Sequence, residues 1–296
     1  MKRLLRYIAI GLAALVVLLV AGWWWLTGTE SGAKFVLGQA QARLEKLEYE
    51  RIEGGLSGGL ILHQVAFEQA GLEATAGRLE LAVGLGVLPT RVTVKRLKLD
   101  QVELVLPPGE EEPAETGPFE PGDYTLPLEI VVDDFELTDF TMPGGDADAP
   151  LLEIQRAALS GRYAEQLEID ALAIEMAPYS LSAEGSLGLA APWSTDLDLE
   201  AAWVLNDSKT QRLAAEIAGP LDALEVQAEG NGPLGARLQA TVRGLPAVDA
   251  LNGEVSLSGG LDGWPGVAGS IDNVEIDASG SLDDWQAELA GRVDWP

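Results

Sequence analysis

The sequence predicts a mainly β protein that one N-terminal helix holds in a membrane. An uncharged segment of roughly twenty residues lies near the start of the chain, which is the length of a membrane-spanning helix. From residue 54 onward apolar and polar residues alternate, as they do along a strand with one buried face. The 34 glycines and 16 prolines lie mostly between the alternating stretches, where turns are expected, and favour a β fold over a helical bundle.

Residues 7–26 carry no charge and would cross the ~30 Å hydrocarbon core as a helix. Three basic residues precede them, so the positive-inside rule keeps the N-terminus in the cytoplasm and exports the rest of the chain. A cleaved signal peptide is the alternative, but it would have a shorter apolar core and small residues where three tryptophans stand. The predicted anchor spans residues 1–28, and its membrane-facing residues include Tyr7, Ile8, Leu15, Val16, Leu18, Leu19, Trp23, Trp24 and Trp25.

Residues 29–50 are predicted to link the anchor to the β body through a short helix. Thr29 or Ser31 would cap this helix, which would run on through residue 34 to residue 47. One face would carry Phe35, Val36, Ala40, Leu44 and Leu47. The helix would either pack against the near end of the β body or lie on the membrane surface. Its mixed rather than basic polar face favours packing.

Residues 51–296 are predicted to form one elongated β body of about fifteen strands. A unit recurs in it, in which two alternating apolar residues, two mostly polar residues and two further alternating apolar residues follow one another. The unit begins at Leu60, Leu97, Ile130 and Leu167. The odd step across the central pair would turn the second half to the other face of a regular strand. A β-bulge at the pair would keep both halves on one face, and a tight turn or strand break is the alternative.

Acidic residues stand largely between the apolar positions, so the sheet should have one apolar and one acidic face. The apolar face would either close on another sheet, as in a sandwich or solenoid, or stay open and present itself to a ligand. The stretch 107–127 is rich in Pro, Glu and Gly and predicts a mobile loop or a linker over the sheet edge. Residues 143–150 predict a shorter loop.

Composition excludes several kinds of function. A net charge of −28 makes nucleic acid a poor partner, because phosphate binding needs clustered Lys and Arg. The chain has no cysteine and one histidine, His63, so thiolate catalysis and multi-His metal sites are excluded. The glycines at 54–55 and 58–59 lack the Lys and following helix of a phosphate loop and are predicted to be turn glycines. We therefore assign no catalytic residue, metal or cofactor, and do not predict an enzyme.

Several motifs resemble the N-terminal region of the TamB family, the inner-membrane subunit of the bacterial translocation and assembly module. They are Thr29-Glu-Ser-Gly32, Ile52-Glu-Gly-Gly55, Leu60-x-Leu62-x-x-Val65-x-Phe67-Glu-Gln69, the glycine-flanked stretch 77–85, Leu97-x-Leu99-x-x-Val102, and Thr116-Gly-Pro118 followed by Leu126-Pro-Leu128-x-Ile130. Beyond about residue 180 only the strand–turn style of the wider AsmA-like group remains. TamB-like proteins are much longer, so we expect a fragment or a divergent short relative.

The resemblance implies an elongated, curled, repetitive β-sheet with a hydrophobic groove, anchored by a single pass in the inner membrane with its body in the periplasm. It implies phospholipid transport between the inner and outer membranes, support for outer-membrane biogenesis, and the outer-membrane partner TamA, reached through a C-terminal region absent from this chain. The tryptophan cluster and the helix after Thr29 would form the junction where lipid leaves the bilayer. The alternative is a scaffold that aids outer-membrane protein insertion by strand addition. The residues expected to line the groove are Leu97, Leu99, Val102, Leu104, Ile130, Val132, Leu167, Ile169, Leu197, Leu199, Trp203, Leu224 and Val226.

Overall fold

The computed structural model describes residues 27–42, 44, 46–87, 90–107, 122–144, 150–206, 209–245, 252–262, 270–281 and 284–294. The predicted membrane segment 7–26, including Trp23, Trp24 and Trp25, lies outside these residues, as do 108–121 of the acidic loop and 145–149 of the shorter one. None of the helices in the described ranges has the length and apolar character needed to span a membrane.

The described chain contains one helix of twelve residues, α1 (Glu30–Gln41), and sixteen strands. The strands are β1 (Lys46–Glu48), β2 (Arg51–Gly55), β3 (Gly59–Gln69), β4 (Leu72–Val87), β5 (Thr90–Val105), β6 (Glu129–Met142), β7 (Leu152–Tyr163), β8 (Gln166–Met176), β9 (Tyr179–Gly188), β10 (Ser194–Asn206), β11 (Lys209–Pro220), β12 (Ala223–Asn231), β13 (Leu234–Arg243), β14 (Asn252–Asp262), β15 (Ser270–Ser281) and β16 (Asp284–Asp294). The prediction of a mainly β fold is confirmed.

Strand pairing follows the chain, from β3 through each successive strand to β16, while β1 and β2 both pair with β3. Neighbouring strands run antiparallel, as short connections require. Two compact units are distinguished. The first contains the described residues of 1–86, 92–109 and 133–153, and the second those of 87–91, 110–132 and 154–296.

Helix α1 begins as predicted and ends earlier than predicted. The Thr29 hydroxyl accepts a hydrogen bond from the Gly32 amide at 3.1 Å, which is an N-cap. The predicted extension to residue 47 is wrong, because Leu47 lies in β1 opposite Phe67. Gly38 has a low helix propensity and weakens the last turns of the helix. The cross-strand hydrogen bonds of β1 therefore outweigh the tendency of the following residues to extend the helix. Phe35 was expected on the buried face, yet it is 55% exposed, and Ala33 is the fully buried residue of α1.

The odd step in the repeated unit has two structural solutions. In β3 and β5 a single residue takes a left-handed conformation, Gln64 with φ 50° and Gln101 with φ 55°. Leu60, Leu62 and Val65 are consequently all buried despite their odd spacing. In β8 the register with β9 shifts between Ile169 and Leu172, which is a bulge. The predicted irregularity is therefore confirmed at these strands.

Candidate functional site

Two rows of apolar side chains cross the second unit from β7 to β16. The Leu197 row consists of the cross-strand partners Gly161, Ile169, Gly185, Leu197, Ile217, Val226, Ala240, Val255, Ala278 and Ala287. The Leu199 row consists of Leu159, Leu172, Ala183, Leu199, Ala215, Ala228, Leu238, Leu257, Ile276 and Leu289. Because residues two apart on a strand point to the same side, the two rows share one face.

A third row lies beside them, two residues further along each strand. This Ala201 row consists of Ala157, Ile174, Leu181, Ala201, Leu213, Gly230, Ala236, Gly259 and Val274. Rows two residues apart are ~6.6 Å apart along a strand, so the three together form an apolar band. We call the three rows the apolar face of the second unit.

The apolar face of the second unit is not the core of a closed sandwich. Among its described hydrophobic residues only Ala157 and Ala183 are buried, each 8% exposed. Leu199, Ile217, Val226 and the other large members of the central rows are half-buried, and Leu289 is 74% exposed. A sandwich core would bury leucine and isoleucine side chains of both sheets almost completely. The open-sheet interpretation fits these exposures and the closed one does not.

The opposite face of the second unit is polar and acidic. The positions between the two central rows form a row of Glu184, Asp198, Glu216, Gln227, Gln239, Ser256, Asp277 and Glu288. Two clefts of about 830 and 660 Å³ are lined mostly by these residues and their polar neighbours, together with members of the central apolar rows such as Val226, Val255, Leu199 and Leu238. Because most of the lining residues are polar, neither cleft suits a purely apolar ligand.

The first unit has a fully buried core. Leu60 is 1% exposed and Leu62 3%, and they pack with Val65, Ala76 and with Ala33 of α1. Around this cluster lie the half-buried residues Leu37, Leu47, Tyr49, Ile52, Leu56, Leu79 and Val102. Through Ala33 and Leu37, helix α1 thus packs into the cluster on the apolar side of β3 and β4, and its backbone lies nearest to β1 and β2. The expectation that the helix packs against the near end of the β body is confirmed.

The polar side of the first unit carries a ladder of ion pairs across β4, β5 and β6. Arg96 donates a hydrogen bond to Glu80 at 2.7 Å, and Lys98 donates one to Glu136 at 2.7 Å. Hydrogen bonding to Arg96 lowers the pKa of Glu80, aided by Arg78 at 3.4 Å and opposed by partial burial. The same contacts raise the pKa of Arg96 and of Lys98. These paired charges hold neighbouring strands together and leave no titratable group with the perturbed, unpaired character of a catalytic site in this part of the described chain.

The predicted groove residues on β8, β10 and β12 lie in or beside the rows of the apolar face of the second unit. Ile169, Leu197 and Val226 lie in the Leu197 row and Leu199 in the Leu199 row, whereas Leu167 and Leu224 lie next to the Leu197 row, toward the strand ends. Trp203 is opposite Tyr179 and Gln211, beyond the Ala201 row. On β5 and β6, all six predicted residues are half-buried, namely Leu97, Leu99, Val102, Leu104, Ile130 and Val132. Of these, Val102 packs against the first unit's core.

Two features of the second unit were not predicted from the sequence. Gln211 is a fully buried polar side chain that donates to the carbonyl oxygens of Arg212 and Leu234 and accepts from the Leu234 amide, so it joins β11 to β13. The segment 122–126 is tied to the β9–β10 turn, where Trp193 donates to the Gly122 carbonyl at 3.3 Å, and to Tyr163, which donates to the Tyr124 carbonyl. No residue pattern distinguishes Gln211 from a surface glutamine, and none gives the hydrogen-bond partners of segment 122–126.

A family model described as TamB, N-terminal domain, matches residues 18–143 and, in a second match, residues 117–296. No solved structure matches the chain. The two matches cover nearly the whole sequence and agree with the motifs between residues 29 and 130. The chain therefore belongs to the TamB family, within its N-terminal domain.

Proposed function

We propose that this protein is anchored in the inner membrane and carries phospholipid along the apolar side of its periplasmic sheet, between the inner and outer membranes. The observation that carries the proposal is the set of three uninterrupted apolar rows on an open face of the second unit. Family membership supports the location, because the apolar segment 7–26 stands where an anchor of this family is expected.

The energetics suit acyl chains. Each CH₂ removed from water is worth ~0.8 kcal/mol, so a sixteen-carbon chain gains on the order of 12 kcal/mol from an apolar surface that covers it. Ten strands at ~4.8 Å spacing give the rows a length of roughly 40 Å across the strands. Leucine and isoleucine are interspersed with alanine, valine and glycine along the rows. The rows therefore provide a continuous apolar track without a deep pocket. Such a track would hold a chain without fixing it at one position.

A pair of alanine-to-glutamate variants tests the proposal. Ala215→Glu places a carboxylate in the Leu199 row, between Leu199 and Ala228. Ala202→Glu is the matched control on the opposite side of the sheet, where the cross-strand partner Arg212 accommodates the new charge. Ala214 is unsuitable as a control because its partners are Glu200 and Glu229.

We expect Ala215→Glu to lower the amount of phospholipid that co-purifies with the protein, and its transfer between vesicles, at least tenfold, and Ala202→Glu to leave both unchanged. Circular dichroism and thermal unfolding verify that both variants fold. Normal transfer by a folded Ala215→Glu protein would contradict transport along this face. A scaffold for strand addition would instead lose activity when proline interrupts an edge strand and would tolerate Ala215→Glu.

A further inference from the structure

Helix α1 occupies the apolar side of the sheet where an open face would otherwise begin. Leu60 and Leu62 of β3 and Ala76 of β4 are buried in one cluster with Ala33 of α1, which is 0% exposed. The corresponding side of the second unit leaves its large apolar residues half-buried. In the first unit α1 thus packs on the apolar side, whereas the described part of the second unit contains no helix there.

The chain around α1 is held at both ends as well as along its packed face. At its N-terminal end the Thr27 carbonyl accepts hydrogen bonds from the amide and the hydroxyl of Ser57, at 2.8 and 3.2 Å. Gly55 packs so closely against the 27–29 segment that a Cβ at this position would lie 2.9 Å from the Gly28 carbonyl carbon. At its C-terminal end the side-chain amide of Gln41 donates a hydrogen bond to the Leu47 carbonyl oxygen at 2.8 Å. A helix restrained in this way behaves as part of the core and not as a mobile lid.

We propose that α1 is a fixed plug that closes the apolar side over β3 and β4, so that the lipid-binding surface begins at β5. This inference rests on the proposed function for what binds beyond the plug, but the closure itself does not. Val102 of β5 packs against the core and marks the boundary. Leu99, three residues away on the same strand, belongs to the surface that acyl chains contact. Lipid therefore enters alongside β5 and β6 and does not pass beneath α1, which revises the expected role of this helix as the junction to the bilayer.

Single cysteines test the closure, since the natural chain has none. We would place one at Val65 or at Leu62 in the cluster with α1, and one at Leu99 as the half-buried comparison position in the same unit. In the full chain reconstituted in phospholipid vesicles, N-ethylmaleimide should modify the cysteine at 65 or 62 at least 100-fold more slowly than the cysteine at 99, and all three equally in urea. The Val65→Cys variant changes side-chain volume least and keeps the test valid where Leu62→Cys does not fold. Equal rates in the folded protein would overturn the plug.

A photoactivatable phospholipid with a diazirine in its acyl chain separates the plug from the conduit. With the unmodified protein we expect crosslinks in peptides that contain Leu99 and Ile169, and none in β3 (Gly59–Gln69). Crosslinks in β3 would also overturn the plug while leaving transport intact. If no peptide of the apolar side is crosslinked and the buried cysteines are still protected, the proposed transport fails and the closure by α1 stands.

Discussion

Truncating one leucine in each unit separates a core from an open face. Leu60 is 1% exposed and lies in the cluster beneath α1, whereas Leu199 is half-buried in the middle of the open rows. Replacing a fully buried leucine by alanine costs the transfer free energy of about three carbon groups, ~2.4 kcal/mol, together with a cavity term, for a total of about 3 kcal/mol. At Leu199 about half of the transfer free energy applies and no closed cavity forms, so we expect about 1 kcal/mol.

Hydrogen exchange measured by mass spectrometry reports these costs locally, which matters because a chain with two units need not unfold in one step. With Leu60→Ala, amides of β3 should lose protection by about 100-fold, the equivalent of ~3 kcal/mol. With Leu199→Ala, amides of β10 should lose about 5-fold. Equal losses in the two strands would refute the distinction, because they would mean that Leu199 lies in a core as closed as that of Leu60.

Three further changes test local features. Gln211→Ala leaves the Leu234 amide without its side-chain acceptor, so amides at the start of β13 should exchange about 10-fold faster, and unchanged exchange there would show that Gln211 does not join β11 to β13. Gly55→Ala forces the 27–29 segment away from β2 and should speed proteolysis near residue 27. A variant as resistant to proteolysis as the wild type would argue against this close packing of Gly55 on residues 27–29. Because the pKa of Glu80 is lowered in the folded state, its ion pairs stabilise the protein above the ordinary pKa of 4.5 and lose this effect as the pH falls through the folded value. The melting temperature of Glu80→Gln should consequently fall less between pH 6 and pH 3 than that of the wild type, and parallel curves would contradict this assignment.

The alternation of apolar and polar residues predicted the strands and their two faces, because this two-residue period is a property of each strand alone. Leu197, Leu199 and Val226 were placed on the apolar side from this pattern, and their cross-strand neighbours agree. The later members Leu238, Leu257 and Ile276 follow the same alternation, so extending the list past Val226 would have found them. What periodicity cannot give is register, which depends on where each turn falls.

The helix shows where local reasoning stops. The apolar residues near Phe35 predicted a helix with one buried face, but the face that is buried carries Ala33 and Leu37 instead. Small residues leave little signal in a hydrophobic pattern, and close packing against a sheet selects them because they let backbones approach. Similarly, the local sequence predicts that Leu47 is helical, but in the structure it pairs with Phe67 of β3. Both differences arise from tertiary contacts that outweigh local propensity.

The acidic charge has a physical part in keeping the apolar side open. Residues 1–107 carry 12 basic and 10 acidic residues, whereas residues 108–296 carry 7 and 37. An uncovered apolar face would drive copies of the chain together unless something opposes association. A strong negative charge on the other face of the same strands opposes it, because copies approaching in any orientation repel one another. The same charge disfavours phosphate groups on the acidic face, which agrees with our proposal that phospholipid binds on the apolar side. The nearly neutral stretch 1–107 needs less of this protection, since α1 packs on the apolar side of its first strands.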